Sequence, residues 1–180
     1  MGGSLEIRRA TPPDAVAIAA IYGWYVDNSV ATFETHAPDC AAMLARITHI
    51  MPHYPFVVAE RDGQLLGYAY AGRLYERAAY RWTVENTVYV APEGHRQGVA
   101  RMLYRTLLDA LAQQGFVSAI GKITLPNPAS IALHERFGFV RRGVLEQVGF
   151  KHGAWHDVGL YQLDLCQRAA APEEPRPSPG

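Results

Sequence analysis

Cysteine is scarce in this chain: of 180 residues only Cys40 and Cys166 carry a thiol, too few and too far apart for a disulfide framework. Neither belongs to a C-x-x-C pair, so zinc binding and dithiol redox chemistry have no support, and a reducing compartment fits. An excess of charge of one sign is also missing. Seventeen basic residues face seventeen acidic ones, which removes the electrostatic footprint of a nucleic-acid or anionic-membrane binder, so any recognition of phosphate must be local. No apolar stretch approaches the length needed to cross a bilayer, and no basic segment followed by an apolar run stands near Met1. The expectation is a cytoplasmic protein without a metal, of a length that suits one domain with a self-sufficient core.

What is present is an orderly succession of two periodicities. Residues 5–9 alternate as a strand, and Thr11-Pro12-Pro13-Asp14 then combines an N-cap candidate with prolines suited to a first helical turn. Val16, Ile18, Ala19, Ile21, Tyr22 and Tyr25 line one side of the helix that follows, and Pro38-Asp39 opens a second helix to about Ile50. Residues 30–35 between them read as extended. Asp62-Gly63 joins strands over 56–61 and 64–73, because this dipeptide supplies the positive φ angles of a tight hairpin turn. Residues 82–90 form a further strand. After Pro92-Glu93-Gly94 the period becomes helical, through Ala100, Leu103, Tyr104, Leu107, Leu108 and Leu111 to Gly115. A strand over 117–124, a short helix over 130–137, and two strands over 139–150 and 155–165 joined near His152-Gly153 complete the domain, which spans residues 1–166. Residues 167–180 are mostly alanine, proline and glutamate, and are expected to be disordered. The order β-α-α-β-β-β-α-β-α-β-β predicts an α/β (α+β) architecture, a mixed sheet with helices on both faces.

The segment Val88-Tyr89-Val90-Ala91-Pro92-Glu93-Gly94-His95-Arg96-Gln97-Gly98-Val99-Ala100 runs from a strand through a short turn into the long helix. A helix start leaves N–H groups without intrahelical partners and carries partial positive charge, so a pyrophosphate can be held there without a basic domain. Gly98 and Ala100 are small enough for close approach, and Arg96 and Arg101 can add charge-assisted contacts. The plainer alternative is that Gly94 and Gly98 only make the turn. The loop lacks the G-K-S/T ending of a nucleoside-triphosphate loop and follows no βαβ start.

Strand, H-R-Q-G-V-A, helix resembles the acyl-CoA signature of the GNAT acetyltransferase superfamily, usually written Q/R-x-x-G-x-G/A. Gly98 and Ala100 match it and His95 stands in the Gln/Arg slot. The runs A-Y-R-W-T-V-E-N-T-V-Y-V from Ala79, N-P-A-S-I-A-L-H-E-R-F-G-F from Asn127 and G-F-K-H-G-A-W-H-D-V-G-L-Y-Q-L-D-L from Gly149 resemble the phosphinothricin acetyltransferase family, and with I-R-R-A-T near the start they spread over nearly the whole chain. The resemblance implies the GNAT fold, with a central, mostly antiparallel mixed sheet. It also implies acetyl-CoA as co-substrate, no metal, a small-molecule amine acceptor of the phosphinothricin, methionine sulfoximine or methionine sulfone type, and a homodimer. Its cofactor-binding residues would be His95, Arg96, Gln97, Gly98, Val99, Ala100 and Arg101 of the loop, the backbone of Val88, Tyr89 and Val90, and Asn127 on the pantetheine arm.

Acetyl transfer from a thioester to an amine needs a base, stabilisation of an oxyanion and a proton for the thiolate. Glu85 is a carboxylate in a strand otherwise made of Thr, Val, Asn and Tyr, costly to bury without a task, although on an alternating strand it can equally point to solvent. The resemblance implies that it is the general base. His134, which as a lone helical histidine would more often be a satisfied core or surface residue, is implied to line the reaction centre as acid or substrate contact. Phe33, Arg77 and Tyr80 are implied to select the substrate, Arg77 by gripping a carboxylate or phosphinate. Tyr75 stands where herbicide-detoxifying members carry a lysine, which implies weaker affinity for a doubly anionic acceptor. Direct transfer in a ternary complex is the favoured reading. A non-catalytic acyl-CoA-binding module and a protein or peptide acetyltransferase are the alternatives.

Overall fold

A computed structural model of the chain describes residues 3–178. Seven strands form one sheet in the order β1-β2-β3-β4-β5-β7-β6, where β1 is Glu6–Arg9, β2 Phe56–Arg61, β3 Gln64–Arg73, β4 Thr83–Val90, β5 Ser118–Thr124, β6 Val140–Lys151 and β7 Ala154–Asp164. Every neighbouring pair is antiparallel except β4 and β5. Four helices, α1 (Ala15–Asn28), α2 (Cys40–Ile50), α3 (Val99–Gln114) and α4 (Pro128–Arg136), cover its two faces. This is the mixed sheet expected from the sequence.

Strand alternation sorts the core into two layers. Phe56, Val58 and Tyr68 pack with Ile18, Tyr22 and Val26 of α1 and with Met43 and Ile47 of α2. Val57, Ala59, Ala69, Val84 and Ala119 turn the other way, onto Leu103, Tyr104, Leu107 and Leu111 of α3. These four α3 side chains have no exposed surface, and burial of each leucine is worth about 1.5–3 kcal/mol. Chain reversals use the residues that tolerate left-handed backbone. Asp62 and Gly63 turn β2 into β3 at φ of 49° and 77°, and His152 and Gly153 turn β6 into β7 at 50° and 76°. Gly115 ends α3 at φ 93°, where its N–H reaches back to the Ala112 carbonyl.

The first turn is fixed by charge. Arg8 on β1 donates to both oxygens of Asp14 at 2.8 Å and to Glu60 at 2.7 Å, and Asp14 also accepts from the Thr11 N–H at 2.7 Å. The Arg8 guanidinium accordingly holds the buried Asp14 carboxyl below its ordinary range. At the other end, residues 167–178 form neither helix nor strand. The Trp82 indole N–H donates to the Glu173 carbonyl at 2.7 Å, and Gln114 and Arg176 bond through Gln114 Nε2 and the Arg176 N–H. Residues 179–180 of the expected disordered tail lie outside the described residues.

Candidate active site

The parallel strands β4 and β5 are paired only from Thr83 with Ser118 to Glu85 with Ile120. Beyond Glu85 they diverge, while β4 stays paired with β3 up to Val90 and β5 with β7 up to Thr124. A gap therefore opens in the middle of the sheet, at the end where β4 runs into α3. The Ala91 N–H donates to Leu66 of β3, so by alternation Val88 and Val90 direct their backbone groups away from β3 and into the gap. The Val90 carbonyl already accepts from Tyr25 Oη at 2.8 Å and from His95 Nε2 at 3.0 Å. The Val90 N–H and both backbone groups of Val88 face the gap without such side-chain partners.

Around this gap lies a cleft of about 1110 Å³. Its floor at one end is the start of α3. Arg96 has φ 60° and Gly98 φ 79°, a left-handed sequence that aims the first helical amides of Val99, Ala100 and Arg101 at the cleft without any side-chain cap on Gly98. An added Cβ at Gly98 would meet no atom within 4 Å, and Val99, Ala100 and Arg101 themselves line the cleft. The Met102 N–H, next along, is already spent on the Gly98 carbonyl. Arg96 and Arg101 line the cleft beside this mouth, and Asn127, capping α4 through its own side chain at 3.1 Å from the Ser130 N–H, lines it farther along.

Two groups of polar side chains flank the gap on opposite faces of the sheet. On the α1 face, Glu85 and Lys122 meet across β4 and β5 with Lys122 Nζ donating to Glu85 Oε2 at 2.6 Å, both side chains about one-third exposed. Phe33, Tyr70 and Thr87 line the same cleft. The Ser29–Thr32 turn that carries Phe33 into place is clamped by buried Lys151, which donates to the Ser29 and Thr32 carbonyls at 2.8 and 2.9 Å. Gly149 leaves room for the Phe33 ring, which any side chain there would overlap.

On the α3 face, His134 is buried and satisfied at both nitrogens. Nδ1 donates to the Ser130 carbonyl at 2.8 Å, so Nε2 accepts from Tyr104 Oη at 2.6 Å, and Tyr104 in turn accepts from Asn86 Nδ2. Burial pushes the imidazole pKa down, partly offset by the Ser130 bond, and pushes the Tyr104 phenol well up. Both groups are thereby kept neutral, with a proton on Tyr104 Oη. Gly121 is bare because a Cβ would overlap the imidazole.

The cleft thus brings together Glu85, His134, Val88, Tyr89, Val90, His95, Arg96, Gly98, Val99, Ala100, Arg101, Asn127 and Phe33. It leaves Gln97, Arg77 and Tyr80 outside its lining. Gln97 is tied to Arg61 and to the Glu93 carbonyl, and Tyr80 packs edge-on against Tyr75, with ring centroids 4.9 Å apart. His95 lines the cleft but turns its ring inward to Val90 and Tyr25. Sequence reasoning overlooked Lys122, Asn86 and the role of Tyr104. Tyr104 was legible only as a core position of α3, and a lysine in a strand gives no sign of what stands beside it. Among the described residues no group of three or more His, Cys, Asp or Glu is placed to hold a metal ion, and no helix is long and apolar enough to cross a membrane.

Comparison with known proteins agrees with this geometry. Residues 18–139 match the Acetyltransferase (GNAT) family. The chain is 41% identical to a phosphinothricin N-acetyltransferase of Streptomyces viridochromogenes over 96% of its own length and 92% of the relative's. It is 36% identical to an L-methionine sulfoximine/L-methionine sulfone acetyltransferase of Pseudomonas aeruginosa, over 94% and 99%. The crystal structure of a GNAT phosphinothricin acetyltransferase from Sinorhizobium meliloti, solved in complex with AcCoA, superposes with a TM-score of 0.91 at 38% identity, covering 94% of each chain. A sheet split between β4 and β5, a helix mouth of free amides beside the split, and these relatives over almost the full length lead to one assignment: the chain belongs to the phosphinothricin acetyltransferase family of the GNAT superfamily.

Proposed function

We propose that the protein transfers an acetyl group from acetyl-CoA to the amine of a small, amino-acid-like acceptor. The observation that carries this reading is the continuity of one cleft from the open amides of α3, through the gap between β4 and β5, to Glu85. The residues fit the cofactor at each level. Val99, Ala100 and Arg101 N–H groups with the Arg96 and Arg101 side chains suit a diphosphate, and the backbone groups of Val88 and Val90 suit an amide-bearing arm laid along β4. Asn86 Oδ1, buried without a hydrogen-bond partner, is an acceptor for an N–H group entering the cleft.

Bound acetyl-CoA supplies a thioester as electrophile. Glu85 takes the proton from the acceptor ammonium at its carboxylate, directly or through a water, and so frees the nitrogen lone pair. The N–H groups at Val88 and Val90 are the donors available in the gap for a developing oxyanion. On the opposite face, the Tyr104 hydroxyl gives its hydrogen to neutral His134 Nε2 and the His134 Nδ1–H is held by the Ser130 carbonyl, so water supplies the proton to the leaving thiolate. Phe33 closes the acceptor side, with Arg77 and Tyr80 at the β3–β4 connection as outer contacts for a second acceptor group. The exposed Phe150 and Trp155 on the β6–β7 hairpin support a homodimer contact there, which a one-chain mass in sedimentation equilibrium would remove.

The direct test is thiol release from acetyl-CoA with a panel of amino acids and their sulfone, sulfoximine and phosphinate analogues. Amine-dependent release with several of them is expected. Acetyl-CoA binding without release for any would leave a non-catalytic acyl-CoA-binding module.

A further inference from the structure

Among the lysines and arginines that line the cleft, Arg96 and Arg101 stand at the mouth of α3 and Arg136 in the last turn of α4. Lys122 is the one placed beside Glu85, on the same face of the sheet and at the acceptor end of the gap. Its ammonium and the Glu85 carboxylate, 2.6 Å apart, form a pair of opposite charges at the spacing of the two charges on an α-amino acid. A zwitterion can meet this pair head-on, its ammonium on Glu85 and its carboxylate on Lys122. Both side chains are about one-third exposed, so the pair is water-screened and opens at little cost. The Tyr75 ring lies 5.9 Å from Lys122 Nζ and restricts where that cation can move.

We propose that Lys122 reads the free α-carboxylate of the acceptor, and that exchange of the Glu85–Lys122 pair for the acceptor's own two charges selects free amino acids over simple amines and internal peptide positions. The inference rests on the acetyl transfer proposed above and adds to it the residue that chooses the acceptor. A purely structural Lys122, holding Glu85 in place, would affect all amines alike.

The two roles separate in a comparison of methionine sulfone with its primary amide, which lacks the carboxylate. In wild type the acid should be preferred. In K122M the acid-to-amide ratio of kcat/KM should fall about 10- to 100-fold, the loss expected for one charge-assisted hydrogen bond, and the fall should lie mainly in KM for the acid. K122R should retain most of the preference. An unchanged ratio in K122M, including equal loss of kcat on both compounds, would overturn the inference. Calorimetric binding of the same two ligands to both proteins, with CoA present, reads the preference without turnover. Absence of acetylation alongside a Lys122-dependent binding preference would then count against acetyl transfer alone, whereas wild-type protein that binds the acid no better than the amide would overturn the role of Lys122.

Discussion

Glu85→Gln is expected to lower kcat by about 100- to 10,000-fold, the range typical of a lost general base, while acetyl-CoA affinity stays within about twofold. The amide is close in size to the carboxylate, and its carbonyl can still accept from Lys122, so the strand and the wall of the cleft should keep their shape. What disappears is a group able to take a proton from an ammonium. The cofactor end should not respond, because the α3 amides lie at the far end of the cleft from Glu85. Stopped-flow thiol detection with saturating amine separates the two effects. Unchanged thiol release would remove Glu85 from the mechanism, and a parallel loss of cofactor binding would mean that the substitution had disturbed the cleft as a whole.

A second large effect is expected at Gly98. Its φ of 79° lies in the region that asparagine and aspartate tolerate better than other side chains, so Gly98→Asn and Gly98→Asp carry similar backbone strain and nearly equal bulk. They differ by one negative charge at a place where the first amides of α3 point. The asparagine variant should bind CoA with modestly reduced affinity. The aspartate variant should bind about 10- to 100-fold more weakly than the asparagine variant, since a carboxylate competes for the same donors and repels the diphosphate. Equal melting temperatures for the two would show that the difference is not one of folding. Equal affinity for CoA would place the diphosphate elsewhere.

Gly98 stands where local sequence pattern reaches, in a turn that opens a helix. Pattern alone leaves Glu85 free to face solvent, and its role as base is implied only by the family resemblance. The helical period of Leu103, Tyr104, Leu107 and Leu111 announced α3, and Gly115 its end, because both signals depend on residues a few places apart. The Asp62-Gly63 turn was legible for the same reason. What pattern could not reach is set by pairing between distant segments. The insertion of β7 between β5 and β6 has no local signature. Neither has the meeting of Glu85 with Lys122, 37 residues apart, or that of Tyr104 with His134, 30 apart. His134 illustrates the limit in both directions. It lines the cleft, and it is also buried and bonded at both ring nitrogens, the state in which a lone helical histidine is more often found. Motif position likewise does not fix side-chain direction. His95 and Gln97 sit within the acyl-CoA signature, but one ring turns to the Val90 carbonyl and the other amide to Arg61 and Glu93.

Acetyl transfer in this cleft requires that the amides at the start of α3 and along the open side of β4 receive the cofactor. Titration of ¹⁵N-labelled protein with CoA, followed by amide chemical shifts, tests this residue by residue. The Val99, Ala100 and Arg101 resonances, together with those of Val88 and Val90, should move most and saturate with a single binding constant. Saturable binding that leaves these five amides unmoved while another surface shifts would contradict it.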